Sequence, residues 1–162
     1  MNYNDKPLFK MIVAGGRDFV NYSEAEKYIW LAIKNKIKTH RVQIVSGRAK
    51  GADTMGEVFV TKFNKDNENV NISLKTFEAK WNDLSVERVK IKESKYGRKY
   101  NALAGMNRNE EMGDYTDAAL IFWDGSSSGT ANMISIMKRL KKPLIVWIYN
   151  PNTKRVLYQY KN

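Results

Sequence analysis

The stretch FKMIVAGG, residues 9–16, decides the fold of this 162-residue chain. A continuously apolar run of this length, stopped by two glycines, is typical of a strand that is buried on both faces and ends in a tight turn. After the turn the period changes, and the apolar residues between 25 and 33 recur at the spacing of a helix. Strand, glycine turn and helix together predict the first unit of a parallel α/β sheet.

The same alternation continues along the rest of the chain. We predict further strands at 42–45, 72–77, 118–123 and 144–148, with helices at 23–33, 52–64 and 130–140. Ser23 and Glu26 form a candidate capping box for the first helix. Residues 80–117 are interpreted as two helices broken at Gly97, the second over 102–112, and residues 155–160 as an edge strand.

These elements predict one domain over residues 1–162. The fold class is α/β, a Rossmann-like three-layer sandwich whose mainly parallel sheet has about five strands plus a C-terminal edge strand. Apolar residues make up 43% of the chain, enough to bury a real core.

The positive charge of the chain is concentrated in two segments. Lys and Arg number 28 against 17 Asp and Glu, which gives a net charge of +11. Residues 80–99 hold seven basic and three acidic groups, and the chain after Asp124 holds seven basic groups and no carboxylate. A DNA-binding protein that uses residues 80–99 and 138–161 is therefore one hypothesis, although the remainder of the chain is neutral overall.

Absent residue types exclude several kinds of chemistry. Without Cys there is no disulfide framework, thiolate nucleophile or thiolate zinc site, which fits a reducing cytoplasm. His40 precedes the second strand, at the edge opposite the glycine turns, so a Ser-His-Asp triad is excluded. No apolar run could span a membrane and the first residues lack a signal-peptide pattern, so we expect a cytoplasmic protein with no membrane partner. We expect no resident metal and no cofactor, and leave open a magnesium ion carried by ligand phosphates.

Glycine-rich turns follow three of the predicted strands. They read GGRD at 15–18, SGRAKGAD at 46–53 and GSSSGT at 125–130. Ligands of an open parallel sheet bind beyond the C-terminal ends of its strands, where these turns meet. We expect the helices after Gly51 and Gly129 to point free N–H groups into this crevice, with Arg17 and Arg48 available to hold a phosphate. No turn has the Lys of a P-loop or the pattern G-x-G-x-x-G, which argues against ATP hydrolysis and ordinary dinucleotide binding.

Two more motifs lie between the second and third turns, F-x-A-x-W at 77–81 and A-G-x-x-R-N-x-x-M at 104–112. Together the five motifs resemble the YspA-type (DUF2493) branch of the SLOG superfamily, over about residues 9–148. That superfamily also includes the LOG phosphoribohydrolases and DprA-type DNA-binding proteins. The resemblance implies a domain that binds a nucleotide or nucleotide-derived ligand, such as a nucleoside monophosphate or an ADP-ribose-like molecule, for sensing, sequestration or processing. It also implies self-association into a homo-oligomer.

The resemblance implies a set of ligand-binding residues spread over the glycine turns and one helix. Together with Arg48, they are Gly15, Gly16, Arg17, Ser46, Gly47, Gly51, Asp53, Arg108, Asn109, Gly125, Ser126, Gly129 and Thr130. Where LOG enzymes carry a catalytic Glu after their phosphate loop, this chain has Met133. If the protein is an enzyme, the alternative is a nucleoside 5′-monophosphate phosphoribohydrolase. Arg108 would then hold phosphate or ribose, and Asp124 or Glu57 would be the acid or base.

Several of these side chains also have purely structural interpretations. Asp53 lies in the first turn of a helix and could pair with Arg48, and Glu57 could be an ordinary solvated helix residue. Trp81 and Trp123 are candidates to stack on a base, with burial beside the sheet as the alternative for both.

Overall fold

The computed structural model describes residues 2–161, which form a six-stranded sheet covered by helices. In chain order the strands are β1 (Leu8–Gly15), β2 (Arg41–Ser46), β3 (Ser73–Thr76), β4 (Ile91–Glu93), β5 (Lys99–Asn101), β6 (Ala118–Trp123), β7 (Leu144–Tyr149) and β8 (Val156–Tyr160). The helices are α1 (Tyr22–Ile33), α2 (Ala52–Asp66), α3 (Ala104–Tyr115) and α4 (Ser128–Arg139), with 3-10 turns at Tyr3–Asp5 and Lys36–Lys38. Within these residues no helix is long and apolar enough to cross a membrane.

The main sheet has the strand order β3-β2-β1-β6-β7-β8. Its first five strands are parallel, and β8 pairs antiparallel with β7 at the edge. This confirms the predicted α/β class, the mainly parallel sheet and the C-terminal edge strand. Each crossover between parallel strands passes over a face of the sheet, as parallel pairing requires.

The central strand β1 explains why its sequence is apolar without alternation. Successive residues point to opposite faces of a strand, and here both faces are covered. Val13 packs in a cluster with residues of α1 and α2, whereas Ile12 packs in a second cluster with residues of α3 and α4. Both side chains are fully buried, so the fold is a three-layer sandwich with one core on each side of the sheet.

The connection between β3 and β6 differs from the prediction. Only the second of the two expected helices exists, as α3, and the region of the first contains the antiparallel hairpin of β4 and β5. Gly97 does not break a helix but lies at the hairpin tip with φ +79°, a conformation that favours glycine. The Ser94 side chain accepts hydrogen bonds from the amides of Tyr96 and Arg98, and this local turn competes with helix formation.

The start of α1 is also shifted from the predicted capping box. Asn21 is the N-cap residue, and its side chain accepts a hydrogen bond from the amide of Glu24 at 3.3 Å. Ser23 lies inside the helix and donates its hydroxyl to the same Asn21 oxygen. The capping box at Ser23 and Glu26 was therefore wrong, because the helix begins one residue before Ser23 and Asn21 is its N-cap.

Candidate functional site

A cavity of about 670 Å³ opens at the C-terminal ends of β1 and β6, between the glycine loops and α3. Its size lies within the range of small-molecule sites. Nine of the residues singled out from the sequence line it: Gly15, Gly16, Arg17, Asp53, Arg108, Asn109, Asp124, Gly129 and Thr130. Seven others do not: Ser46, Gly47, Arg48, Gly51, Glu57, Gly125 and Ser126. Two of these seven, Gly47 and Arg48, line a neighbouring depression of about 430 Å³, which shares Arg17 and Arg108 with the cavity.

The loop after β1 is packed too tightly to hold any side chain at its two glycines. A Cβ at Gly15 would lie 2.0 Å from the carbonyl oxygen of Phe122, and one at Gly16 would lie 1.8 Å from the Tyr149 hydroxyl. That hydroxyl donates a hydrogen bond to Asp18 at 2.5 Å. Hydrogen bonds from Tyr149 and Lys154 hold the pKa of Asp18 below its usual value, with the Lys154 hydrogen bond the larger cause.

The N-terminus of α2 is closed off by this first loop. The amide of Ala52 donates to the carbonyl oxygen of Gly16 at 3.1 Å, and a Cβ at Gly51 would lie only 2.2 Å from the same oxygen. Gly51 has φ +80°, so glycine is needed here for backbone conformation as well as for space. The expectation that the helix after Gly51 points free N–H groups into the crevice is therefore wrong for its first amide.

Contacts of Glu57 with Ser46 and Arg48 stabilise the loop after β2. Glu57 accepts a hydrogen bond from the Ser46 hydroxyl at 2.7 Å and forms an ion pair with Arg48 at 2.5 Å. Both of its carboxylate oxygens are thus engaged, and the side chain does not line the cavity. Arg48 also approaches Glu78 at 3.8 Å. The suggested pairing of Asp53 with Arg48 was wrong, because Glu57 takes that place.

Asp53 is a buried carboxyl group in the wall of the cavity. It is 5% exposed, and its Oδ2 accepts hydrogen bonds from the amides of Gly47 at 3.1 Å and Ala49 at 3.4 Å. Burial raises the pKa of Asp53 to about 6, although the nearby positive charge of Arg108 opposes this. Asp53 therefore changes its charge close to neutral pH.

Arg17 and Arg108 bring two positive charges to the cavity. Arg108 donates to the Gly47 carbonyl oxygen at 2.6 Å and to the Asn109 side chain at 3.3 Å. Burial holds the pKa of Arg108 below its usual value, and an arginine still remains protonated at neutral pH. Among residues 2–161, neither guanidinium group lies within ion-pair distance of a carboxylate. Each therefore has N–H groups to offer an anion.

The loop after β6 is built around Asp124. Its Oδ1 accepts hydrogen bonds from the amides of Ser126 at 2.9 Å and Ser127 at 2.8 Å. Burial would raise the pKa of Asp124, but the bonds from these amides outweigh it and the pKa lies below its usual value. Asp124 thus has a structural task in shaping the turn, and it also lines the cavity.

The N-terminus of α4 opens onto the cavity. Ser128, Gly129 and Thr130 form its first turn and line the cavity wall. In the described part of the chain their amides donate to no protein acceptor, as expected for the first turn of a helix without a side-chain cap. Asn109 fixes this turn from α3, because its amide group donates to Asn132 at 2.9 Å and to the Gly129 carbonyl at 3.3 Å.

Apolar and aromatic side chains complete the cavity. Trp81 is 40% exposed and packs over Gly105, where a Cβ would lie 3.4 Å from its ring. Met112, which ends the A-G-x-x-R-N-x-x-M motif, and Met133 also line the wall, although neither was among the predicted ligand-binding residues. Trp123 does not line the cavity, because its indole N–H donates to the Ser127 carbonyl and its ring packs edge-on against Tyr160. Of the two tryptophan candidates, only Trp81 is at the site.

Ionisable side chains in the structure do not gather into a metal centre. Over residues 2–161, no group of three His, Asp or Glu residues has an arrangement that could hold a metal ion. Comparison with the models of known protein families found no match for this chain, and comparison with curated proteins found none either.

Proposed function

We propose that this protein binds a nucleotide or nucleotide-derived ligand in the cavity, with a phosphate at the N-terminus of α4. The observation that carries the proposal is that three groups of anion donors border one space. These are the first-turn amides of α4 and the guanidinium groups of Arg17 and Arg108. A helix N-terminus and unpaired guanidinium groups both favour a phosphate, and here they act together.

The rest of the cavity suits the other parts of a nucleotide. The exposed ring of Trp81 offers a surface for a base, and Met112 and Met133 provide an apolar wall. Asp53 and Asp124 are acceptors for ribose hydroxyl groups. A nucleoside monophosphate or an ADP-ribose-like molecule combines these three features.

A second candidate function is hydrolysis of the N-glycosidic bond of a nucleoside 5′-monophosphate. Asp53 favours it, because a carboxyl group with a pKa of about 6 can serve as a general acid near neutral pH. Glu57 is less suited, since both its oxygens are engaged outside the cavity. Incubation with a panel of nucleotides, followed by chromatography, would detect a released base. If no nucleotide of the panel releases its base, hydrolysis is excluded and ligand binding remains the proposed function.

Thermal unfolding tests ligand binding directly. A panel of nucleoside monophosphates, ADP-ribose and inorganic phosphate is compared on wild type, Arg17→Ala and Arg41→Ala. Arg41 is the first residue of β2, at the end of the strand opposite the cavity, so Arg41→Ala removes the same charge away from the cavity. When its concentration is 100 times its dissociation constant, a ligand should raise the thermal unfolding midpoint of wild type and Arg41→Ala by about 5 to 10 °C. Arg17→Ala should respond less. Equal responses of all three proteins would contradict this site.

A further inference from the structure

The hairpin of β4 and β5 forms a positively charged surface outside the cavity. Its strands and tip, residues 91–101, carry Lys92, Lys95, Arg98 and Lys99, all of them exposed. In the described part of the chain, none of these four cations lies within ion-pair distance of a carboxylate. No ion pair of the described fold therefore uses their charge.

The second basic segment, residues 138–161, behaves differently. Arg139 pairs with Glu110 at 2.5 Å, and Lys154 pairs with Asp18 at 2.7 Å. Lys142 donates to the carbonyl oxygens of Gly113 and Asp114, at the C-terminal end of α3. These three cations stabilise helix ends and loops. The other four cations of the segment, Lys138, Lys141, Arg155 and Lys161, form no ion pair among residues 2–161, so charge alone does not distinguish the hairpin from this segment.

The tip of the hairpin holds an aromatic ring in solvent. Tyr96 is 85% exposed, the highest value among the large exposed hydrophobic side chains. The turn that carries it is ordered, because Ser94 Oγ accepts hydrogen bonds from the amides of Tyr96 at 3.3 Å and Arg98 at 3.2 Å. The Lys95 ammonium group lies 5.0 Å from the centre of the ring. An exposed ring flanked by cations is suited to stack on a base beside a phosphate.

The base of the hairpin is fixed to the rest of the domain through Asn101. This side chain is 1% exposed, accepts hydrogen bonds from the amides of Lys90 and Leu103, and donates to the Arg88 carbonyl oxygen. The backbone N–H of Asn101 donates to the carbonyl oxygen of Trp81 at 2.7 Å. The hairpin therefore projects beside the cavity with its base fixed by these hydrogen bonds.

We propose that this hairpin binds single-stranded nucleic acid, with Lys92, Lys95 and Arg98 contacting phosphates and Tyr96 stacked on a base. A single strand fits better than a duplex because the ring at the tip needs the open face of an unstacked base. This interaction goes beyond ligand binding in the cavity and does not depend on it.

Fluorescence anisotropy with a labelled oligothymidylate, measured over a range of salt concentrations, tests the proposal. The triple variant Lys92→Ala, Lys95→Ala, Arg98→Ala is compared with the control Lys138→Ala, Arg155→Ala, Lys161→Ala, which removes the same charge from the C-terminal segment. The slope of log affinity against log salt is negative, and it should become less negative by about 2 in the hairpin variant, at about 0.7 per phosphate contact on a single strand. The control should keep the wild-type slope.

Two single substitutions test the stacking contact. Tyr96→Ala should weaken binding about tenfold, whereas Tyr96→Phe should bind as wild type does, since the ring face is retained. The exposure of Tyr96 means that both variants should fold, which thermal unfolding checks. Equal losses in the two triple variants would overturn the proposal, as would an unaffected Tyr96→Ala, tighter binding of a duplex of the same length, or no binding by wild type at low salt.

Discussion

The loop after β1 and the loop after β6 are both rich in glycine, but the surroundings of their glycines are opposite. Gly15 and Gly16 have no room for a Cβ, because protein atoms lie within 2.0 Å of where it would be. At Gly125 and Gly129 a Cβ would meet nothing within 4 Å. Glycine in the first loop allows close packing inside the protein, whereas Gly129 leaves open space in front of a helix N-terminus. A glycine-rich loop at a strand end is thus evidence of a ligand only where the space beside it is empty.

The largest loss of stability is expected from a substitution at Gly51, where the loop after β2 packs against the loop after β1. A Cβ in Gly51→Ala would lie 2.2 Å from the Gly16 carbonyl oxygen, and the residue has φ +80°. Backbone strain and overpacking together should lower the free energy of unfolding by about 4 kcal/mol.

Gly125→Ala is the matched control for this substitution. Gly125 has a similar φ of +87°, but a Cβ there would meet no atom within 4 Å. Gly125→Ala should therefore cost only the backbone strain, about 1 kcal/mol of unfolding free energy. Denaturant unfolding measures both values. Equal losses of stability at the two positions would refute the distinction between closed and open loops.

The next largest change in stability is expected at Asp53, because its carboxyl group is buried against the loop after β2. Its pKa is raised by burial to about 6 from 3.8, so the folded protein holds the proton more tightly than the unfolded chain does. Stability therefore falls as the pH rises from about 4 to 6, and the full cost, about 3 kcal/mol, is present above pH 6.

Asp53→Asn removes this titration while keeping an acceptor for the amides of Gly47 and Ala49. The variant should unfold at a higher temperature than wild type at pH 7.5, and the difference should shrink as the pH falls below 6. Thermal unfolding between pH 4 and 8 measures it. A variant that is less stable than wild type at pH 7.5 would mean that the Asp53 charge stabilises the fold.

A smaller effect is expected at Gly16, where the obstacle is a side chain instead of the backbone. A Cβ in Gly16→Ala would lie 1.8 Å from the Tyr149 hydroxyl, and the substitution should cost about 2 kcal/mol. Tyr149→Phe alone should cost about 1 kcal/mol, through loss of the hydrogen bond to Asp18.

The double variant should be more stable than the sum of the two losses predicts, because removing the hydroxyl clears the closest contact. Urea unfolding of the four proteins completes this cycle. Strict additivity would show that Gly16 is required for a reason other than the space taken by Tyr149.

The inner strands of the main sheet, β1, β2, β6 and β7, could be predicted from the sequence because a strand covered on both faces is mostly apolar. Residues 118–123 are such a run, and β6 has the predicted bounds. The hairpin of β4 and β5 was missed because its three-residue strands are short and mostly polar and give no such signal. Local hydrogen bonds of Ser94 and the positive φ of Gly97 decide that region instead.

The site was predictable to the level of the sheet edge but not to the level of individual side chains. Arg17 and Arg48 both follow a strand and a glycine, yet only Arg17 lines the cavity. Arg48 has φ +63°, and its side chain pairs with Glu57 nine positions later. Such a pairing depends on the three-dimensional path of the loop, which residue types and spacing do not define.

The most direct test of the central claim is calorimetric titration of a nucleoside monophosphate into wild type, Gly129→Asp and Gly129→Asn. Neither side chain should disturb the fold, since a Cβ at Gly129 has open space and an acidic group suits the first turn of a helix. If a phosphate binds at the N-terminus of α4, the aspartate should lower affinity at least about tenfold through like-charge repulsion. The asparagine, equal in size but neutral, should change affinity much less. Equal affinity of all three proteins, or no binding by wild type of any nucleotide tested, would contradict the account.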